Sequence, residues 1–414
     1  MTVSEAGRRA GLRERMVAVA ACCWGLSAFL PVGVMYLNLL IMLLVLGLQP
    51  DRRHRWSRMR RTAVAIPMAL LLLWSLLVVL AGPWYPDTAT RLFHLVRVAL
   101  IITLGLMLSN AEARLAILAF LASAIVAVLI VLAHRIWGLP DWTIWSSLLT
   151  SRNNFSSGNM IVLASASGVF WWMATQPRLD TTRRAAAIAA GLATTATVAM
   201  HAQSRNAQLL MAVLLLVVVV CRFRTWRAAA GGAAAVLVLA AGAWSLSPTV
   251  HDRFAELASD VRGVQTESDA VTSIGLRWRM AQEAVAAIGE NPLMGTGLGS
   301  WLSRWHLAWA GFADRLPPDT PPHLADTNNP HNDFLLTGME TGIPGMLILI
   351  WLLLAFVATG WRRHSLAGGV TVVFGVAVMV TAAVNAPLRD AALGSTLLWL
   401  LAVSMAWHRG ADHA

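Results

Sequence analysis

Apolar runs recur along the whole chain, and they constrain its fold more than any other feature. Twelve can be read, at roughly 16–31, 33–49, 62–82, 91–109, 114–133, 157–175, 184–201, 206–221, 228–246, 341–360, 366–386 and 391–408. A helix needs about 20 such residues to cross a bilayer. The runs are continuous, which excludes the two-residue alternation of a membrane β-barrel. Composition agrees: of 414 residues, 57% are hydrophobic and 13% charged, whereas a soluble domain carries about 25% charged residues. The expected fold is all-α, a polytopic integral membrane protein with about twelve transmembrane helices. The first two runs would together be too long for one crossing, and "LPVG" (Leu30 to Gly33) supplies the break.

The net charge is +11, and all 32 Lys/Arg positions are arginine. This excess reads as topology, not as nucleic-acid binding. With the N-terminus inside, the inner segments hold 20 of the 32 arginines, six of them between Arg52 and Arg61. That is the positive-inside bias, and it puts both termini in the cytoplasm. Cys22, Cys23 and Cys221 are the three cysteines. Their placement offers no disulfide framework and no metal-ligand spacing.

Residues 247–332 form one long polar stretch, facing outward on this topology. The chain thus divides into an N-terminal membrane bundle (1–246), a large outer loop (247–332) and C-terminal membrane helices (333–414). Loops of this length in a tight protein usually carry function. Within it, Leu276, Met280, Ala284, Ala287 and Ile288 mark one face of a helix over Gly275 to Pro292. Trp301, Trp305 and Trp309 stand four apart. They are expected as interfacial anchors, with stacking on sugar rings as the alternative. His251, His306 and His323 show no ligand-like pairing with carboxylates on a common face, so no metal site is expected.

Charged groups near a membrane are costly unless paired or functional. His331 opens the tenth run, Arg205 sits in the short "HAQSRNAQ" connection, and Arg277 begins the loop helix. Two arginines and an imidazole at the outer leaflet describe a site for a phosphorylated lipid and a proton to be moved. Each has a plainer reading: a capping histidine, an arginine snorkelling to lipid phosphate, and a charge on a solvated helix face, as expected for Arg279. Arg91, His94 and Arg97 climb the fourth run at three-residue spacing. They line a lipid path or pair with Asp87; Arg152, in "TSRNNF", is a similar case.

Three stretches in order change the weighing. "HNDFLLTGMETG" (His331 to Gly342) resembles the H-N-x-F/Y-L…E-x-G signature of the O-antigen ligase family. "SIGLRWRMAQEAVAAIGENPLMGTGLGSW" (Ser273 to Trp301) resembles its Arg, helix and N-P-L-x-G-x-G block, and "QSRNA" (Gln203 to Ala207) its Ser-Arg pair. The superfamily includes O-antigen ligases, O-antigen polymerases and protein O-oligosaccharyltransferases. The resemblance implies a GT-C-like glycosyltransferase in the bacterial inner membrane. It would move a glycan from undecaprenyl pyrophosphate to a sugar of lipid A–core on the periplasmic face. It places the catalytic base on His331 and the pyrophosphate grip on Arg205 and Arg277. Asn332 and Glu340 match motif positions whose role, catalytic or structural, stays open.

The residue types suit that chemistry. Lipid pyrophosphate is a good leaving group that needs charge stabilisation, which forked arginines provide. A sugar hydroxyl is a weak nucleophile until a base takes its proton, and neutral histidine suits that near pH 7. Direct displacement would invert the anomeric centre. No nucleotide, metal or other cofactor is called for, and nothing demands more than one chain. The polymerase reading comes second because the other outer segment, 134–156, is short. A transporter is a more distant alternative: glycine-broken helices suit one, but the polar groups gather at one face instead of the midplane.

Overall fold

The computed structural model describes residues 5–140, 149–151, 154–155, 157–177, 179–202, 204–222, 225–246, 273–316, 318 and 320–407. Among the described residues, ten helices precede the long polar stretch: α1 (Glu5–Leu26), α2 (Val32–Gly47), α3 (Arg52–Arg60), α4 (Ala65–Ala81), α5 (Thr88–Leu106), α6 (Asn110–Trp137), α7 (Ser157–Ala174), α8 (Thr181–His201), α9 (Arg205–Arg222) and α10 (Trp226–Leu246). Helices α11 (Ser273–Glu290) and α12 (Trp301–Ala310) lie within it, and α13 (Asp333–Arg362), α14 (Leu366–Val384) and α15 (Ala391–Trp407) follow. A small antiparallel hairpin, β1 (Leu149–Ser151) with β2 (Asn154–Phe155), departs from the otherwise helical plan.

Each of the twelve apolar runs falls on one helix. Five helices, α5, α6, α9, α13 and α14, are long and apolar enough to cross a membrane; α2 and α3, bent by 111°, make a sixth if taken as one span. Large apolar side chains remain exposed around the bundle, among them Leu40, Leu73, Leu77, Val96, Leu129 and Leu354. Water would oppose such a surface and lipid accepts it. This is a multi-pass membrane protein.

The core is built where α15 threads the bundle and packs on α5, α6 and α14. Trp399 on α15 stacks on Trp24 of α1 with ring centroids 4.0 Å apart. Helix α6 opens with a capping box: the Ser109 hydroxyl accepts from Glu112 N, and Ser109 N donates to the Glu112 carboxylate at 2.7 Å. That carboxylate also takes a forked pair of bonds from Arg55, at 2.7 and 3.0 Å, holding α3 against the bundle end. Helix α3 was not expected, because six arginines in ten residues hide an amphipathic turn with Arg55 and Met59 as its buried face.

Helix α13 begins at Asp333, eight residues before the tenth apolar run. Its first turns bury Leu336 and Met339 with Leu276, Met280, Ala284 and Ala287 of α11 and Trp301, Trp305 and Phe312. The described part of the polar stretch thus has its own small core, which shares α13 with the bundle. The expected apolar face of α11 is the buried one. Trp301 and Trp305 are neither interfacial anchors nor open sugar platforms. They are core residues whose indole N–H groups donate to Thr327 O (2.8 Å) and Leu324 O (3.1 Å).

Candidate functional site

Helix α13 breaks at Gly342, where φ is 74° and ψ 177°. A break leaves backbone groups without helical partners, and the Asn291–Ser300 loop supplies them. Thr296 N donates to Met339 O, Ile343 N to Pro292 O, both at 2.8 Å, and Trp74 Nε1 of α4 to Thr341 O at 2.7 Å. A Cβ at Gly342 would strike the Leu293 carbonyl, so the residue must be glycine for both its backbone angle and its close approach. The loop's other flank rests on the start of α5, where Thr88 Oγ1 donates to Leu298 O (2.6 Å) and Tyr85 OH to Thr296 O (2.9 Å). Gly299, at φ 86°, passes so close that a Cβ would lie 2.5 Å from Thr88 N.

Glu340 sits inside this junction, 0% exposed. Its carboxylate accepts from Arg91 Nε at 2.8 and 3.0 Å and from Gly299 N at 3.2 Å, and Arg91 Nη2 lies 2.7 Å away. The expected Arg91–Asp87 pair is therefore not formed. Arg91 turns to Glu340 because that buried carboxylate needs a cation, and Asp87 pairs with Arg389 instead. Glu340 holds α5, the glycine loop and α13 together. Arg97, also buried, donates to the carbonyls of Leu388 (2.8 Å) and Asp390 (3.0 Å), so it holds the turn between α14 and α15.

His331 stands just before α13. Its backbone is left-handed, φ 52°, which is uncommon for a residue with a Cβ and costs on the order of 1–3 kcal/mol. Asn329 sustains it by accepting from His331 N at 2.9 Å across Pro330, an Asx-turn. Asn332 then caps α13: its side-chain oxygen accepts from Leu335 N and its amide donates to Ala383 O, both at 2.9 Å. Asn332 is thus engaged in structure. The imidazole is half-buried, with Nδ1 3.4 Å from Asn385 Oδ1 at the end of α14. Sequence reasoning missed Asn385, which lies in an ordinary inter-helix turn with no motif to mark it.

Arg277 comes to the same place from the first turns of α11. Burial and then the Arg277 charge lower the His331 pKa below its ordinary 6.5, against a smaller raising effect from the Asn385 hydrogen bond. Burial and then Arg205 lower that of Arg277, which stays charged. Arg205 is the first residue of α9, and neighbouring Asn206 donates to Val384 O (3.4 Å), beside Asn385. Side chains from α9, α11 and the turn before α13 therefore act on one another. Arg279 was expected on a solvated face. It lies over the Phe312 ring, 4.7 Å from the centroid, because the aromatic core edge offers it a cation–π contact. His306 of α12 pairs with Asp326 of the following loop at 3.0 Å, not with a carboxylate on its own helix face. Arg152 and His251 lie outside the described residues.

A depressed imidazole pKa has a sign. The ring is neutral, and able to accept a proton, at neutral pH and above. A rate that needs it should fall only as pH drops below the ordinary imidazole value. Removing a neighbouring positive charge relieves the depression, so Arg277→Gln should move that fall to higher pH in kcat/KM, while Arg279→Gln should leave it in place. A pH–rate series on the three proteins checks this.

The fold and the site define a class: a multi-pass helical membrane protein whose polar helical unit is locked onto a broken helix, with a histidine just before that helix and two arginines whose charges reach one another and the ring. Residues 190–350 match the family model described as O-Antigen ligase. No curated protein matches the chain. The matched span includes Arg205, Arg277, His331, Asn332 and Glu340, whereas Arg91, Arg97 and Asn385 lie outside it.

Proposed function

We propose that the protein is an O-antigen ligase working at the periplasmic face of the bacterial inner membrane. In this reading the twelve apolar helices all cross, both termini are cytoplasmic, and residues 247–332 form a periplasmic unit between the bundles 1–246 and 333–414. The donor is a glycan on undecaprenyl pyrophosphate and the acceptor a sugar of lipid A–core. His331 removes the proton from the acceptor hydroxyl. The oxygen attacks the anomeric carbon from the side opposite the pyrophosphate, the new C–O bond forms with inversion, and the old bond's electrons leave with the lipid pyrophosphate. Arg205 and Arg277 hold that leaving group.

The observation that supports this reading is that Arg205 of α9 and half-buried Arg277 of α11 are close enough for their charges to act on one another, with His331 within reach of the second. Like charges at short range repel, more so where burial thins the water between them. A pyrophosphate turns that repulsion into attraction through charge-assisted, forked bonds, and preorganised charge of this kind is the main catalytic term for a leaving anion. Glycosyltransferase-like activity with a lipid-linked donor in the membrane agrees with the matched family.

The test gives detergent-purified protein a lipid-linked glycan together with one of three acceptors: lipid A–core, further lipid-linked glycan, or a pilin. Transfer to lipid A–core is expected. Chain growth on the lipid-linked glycan would instead identify a polymerase, and a glycosylated pilin a protein oligosaccharyltransferase. Because no sealed bilayer is present, a transporter would turn over no donor at all.

A further inference from the structure

We infer that Asn385 is a positioning residue that fixes the tautomer of His331, holding Nδ1 protonated and leaving Nε2 bare to take the substrate's proton. This rests on the reading of His331 as general base.

The inference starts from which end of the Asn385 amide faces the ring. Amide oxygen and nitrogen are told apart by their partners. Here the backbone settles it: Ala386 N–H donates to the same atom at 2.9 Å, and a backbone N–H can only meet an oxygen. That atom is therefore an acceptor, and His331 Nδ1, 3.4 Å away, must be the donor. A neutral imidazole carries one proton. If Nδ1 holds it, Nε2 has a free lone pair. The distance is long, as catalytic hydrogen bonds often are before substrate closes the site.

The support of Asn385 is unusually firm for a turn residue. Asn385 N donates to Thr381 O at 2.8 Å, ending α14. On the other side, Leu388 N donates to the buried Asp333 carboxylate (2.9 Å), Arg97 holds the Leu388 and Asp390 carbonyls, and Arg389 pairs with Asp87. Asn332 ties the His331 side of the contact to Ala383, two residues before Asn385. Both partners are thus clamped, and clamping a ring's second nitrogen is how a base is aimed.

Besides the buried Asp333 carboxyl, two residues further along, other charged groups act near the ring. Arg277 faces it from α11, and Arg205 of α9 acts on Arg277. Of the turn's own charges, Arg389 is engaged by Asp87, and the Asp390 carboxylate accepts from Leu393 N. Asn385 is the neutral group that meets the ring itself.

The experiment measures glycan transfer against pH for the full-length protein and for Asn385→Asp and Asn385→Ala, with melting temperature as a check on folding. A carboxylate in that position favours the imidazolium, and an opposite charge at this range shifts a pKa by about 1–3 units. Asn385→Asp should therefore carry the acid limb of kcat/KM upward by a unit or more while keeping most of the plateau. Asn385→Ala loses the acceptor, so its limb should move the other way, if at all. Its plateau kcat should fall by roughly 10- to 100-fold as the ring's aim is lost, with donor KM little changed. Either variant suffices if the other does not fold. A wild-type limb in folded Asn385→Asp, or a wild-type plateau in folded Asn385→Ala, alongside a His331→Ala protein that has lost transfer, would remove Asn385 alone. Full transfer by His331→Ala would instead remove the base reading beneath it.

Discussion

His331→Ala should lose roughly 10²- to 10⁴-fold in glycan transfer, the usual worth of a positioned general base, with most of the loss in kcat. Donor affinity should change little, since the pyrophosphate grip is assigned to Arg205 and Arg277. Folding should also survive. The backbone turn is held by the Asn329 side chain through the His331 N–H, which alanine keeps, and the ring's one hydrogen bond is the long contact to Asn385. Alanine at φ 52° is somewhat less at home than histidine, which is enriched at positive φ, but the strain is of the same small order. The readout is the amount of lipid A–core carrying glycan after a timed reaction, with lipid-linked glycan left over. A purified variant that matches wild type would end the assignment of His331 as base.

Glu340→Ala should be the most destabilising single change in the site region. Truncating one member of a buried ion pair costs about 3–5 kcal/mol, because the survivor stays charged and out of water. Here the survivor is Arg91, whose side chain is 7% exposed, opposite a glutamate side chain 1% exposed. Gly299 N would lose its acceptor as well. The loss would loosen the glycine loop from α5 and α13 together, so the expected outcome is a lower melting temperature and poor recovery of folded protein. Replacing Arg91 and Glu340 jointly with apolar residues should recover part of the stability. An inactive Glu340→Ala protein that melts with wild type would instead give the carboxylate a place in the chemistry, the question its motif position left open.

The helices were legible because lipid imposes a simple rule on sequence: long uninterrupted apolar runs. The same rule failed where a helix leaves lipid. Helix α3 is mostly arginine, and the first turns of α13 face a protein core, so neither registers as an apolar run. The amphipathic face of α11 was legible from its spacing, and His331, Arg277 and Arg205 stood out as candidates because charge is conspicuous in an apolar chain. Pairing was not legible. Arg91 and Glu340 are 249 residues apart, and Asp87, four residues from Arg91, was the obvious partner on local grounds. Nor does an asparagine in "VNAPLRD" announce that its oxygen meets a histidine 54 residues earlier. Tryptophans at four-residue spacing fit an interfacial anchor as well as a core, and only the folded packing around Leu324 and Thr327 decides between them.

The long reach of the Arg91–Glu340 bond has a consequence for how the molecule is made. Glu340 leaves the ribosome 249 residues after Arg91, a wait of roughly ten seconds to a minute at about 5–20 residues per second. During that interval the early helices are already entering the bilayer, and the guanidinium lacks the carboxylate it will finally hold. The helices around Arg91 are therefore assembled provisionally, and their closure waits on a residue synthesised much later.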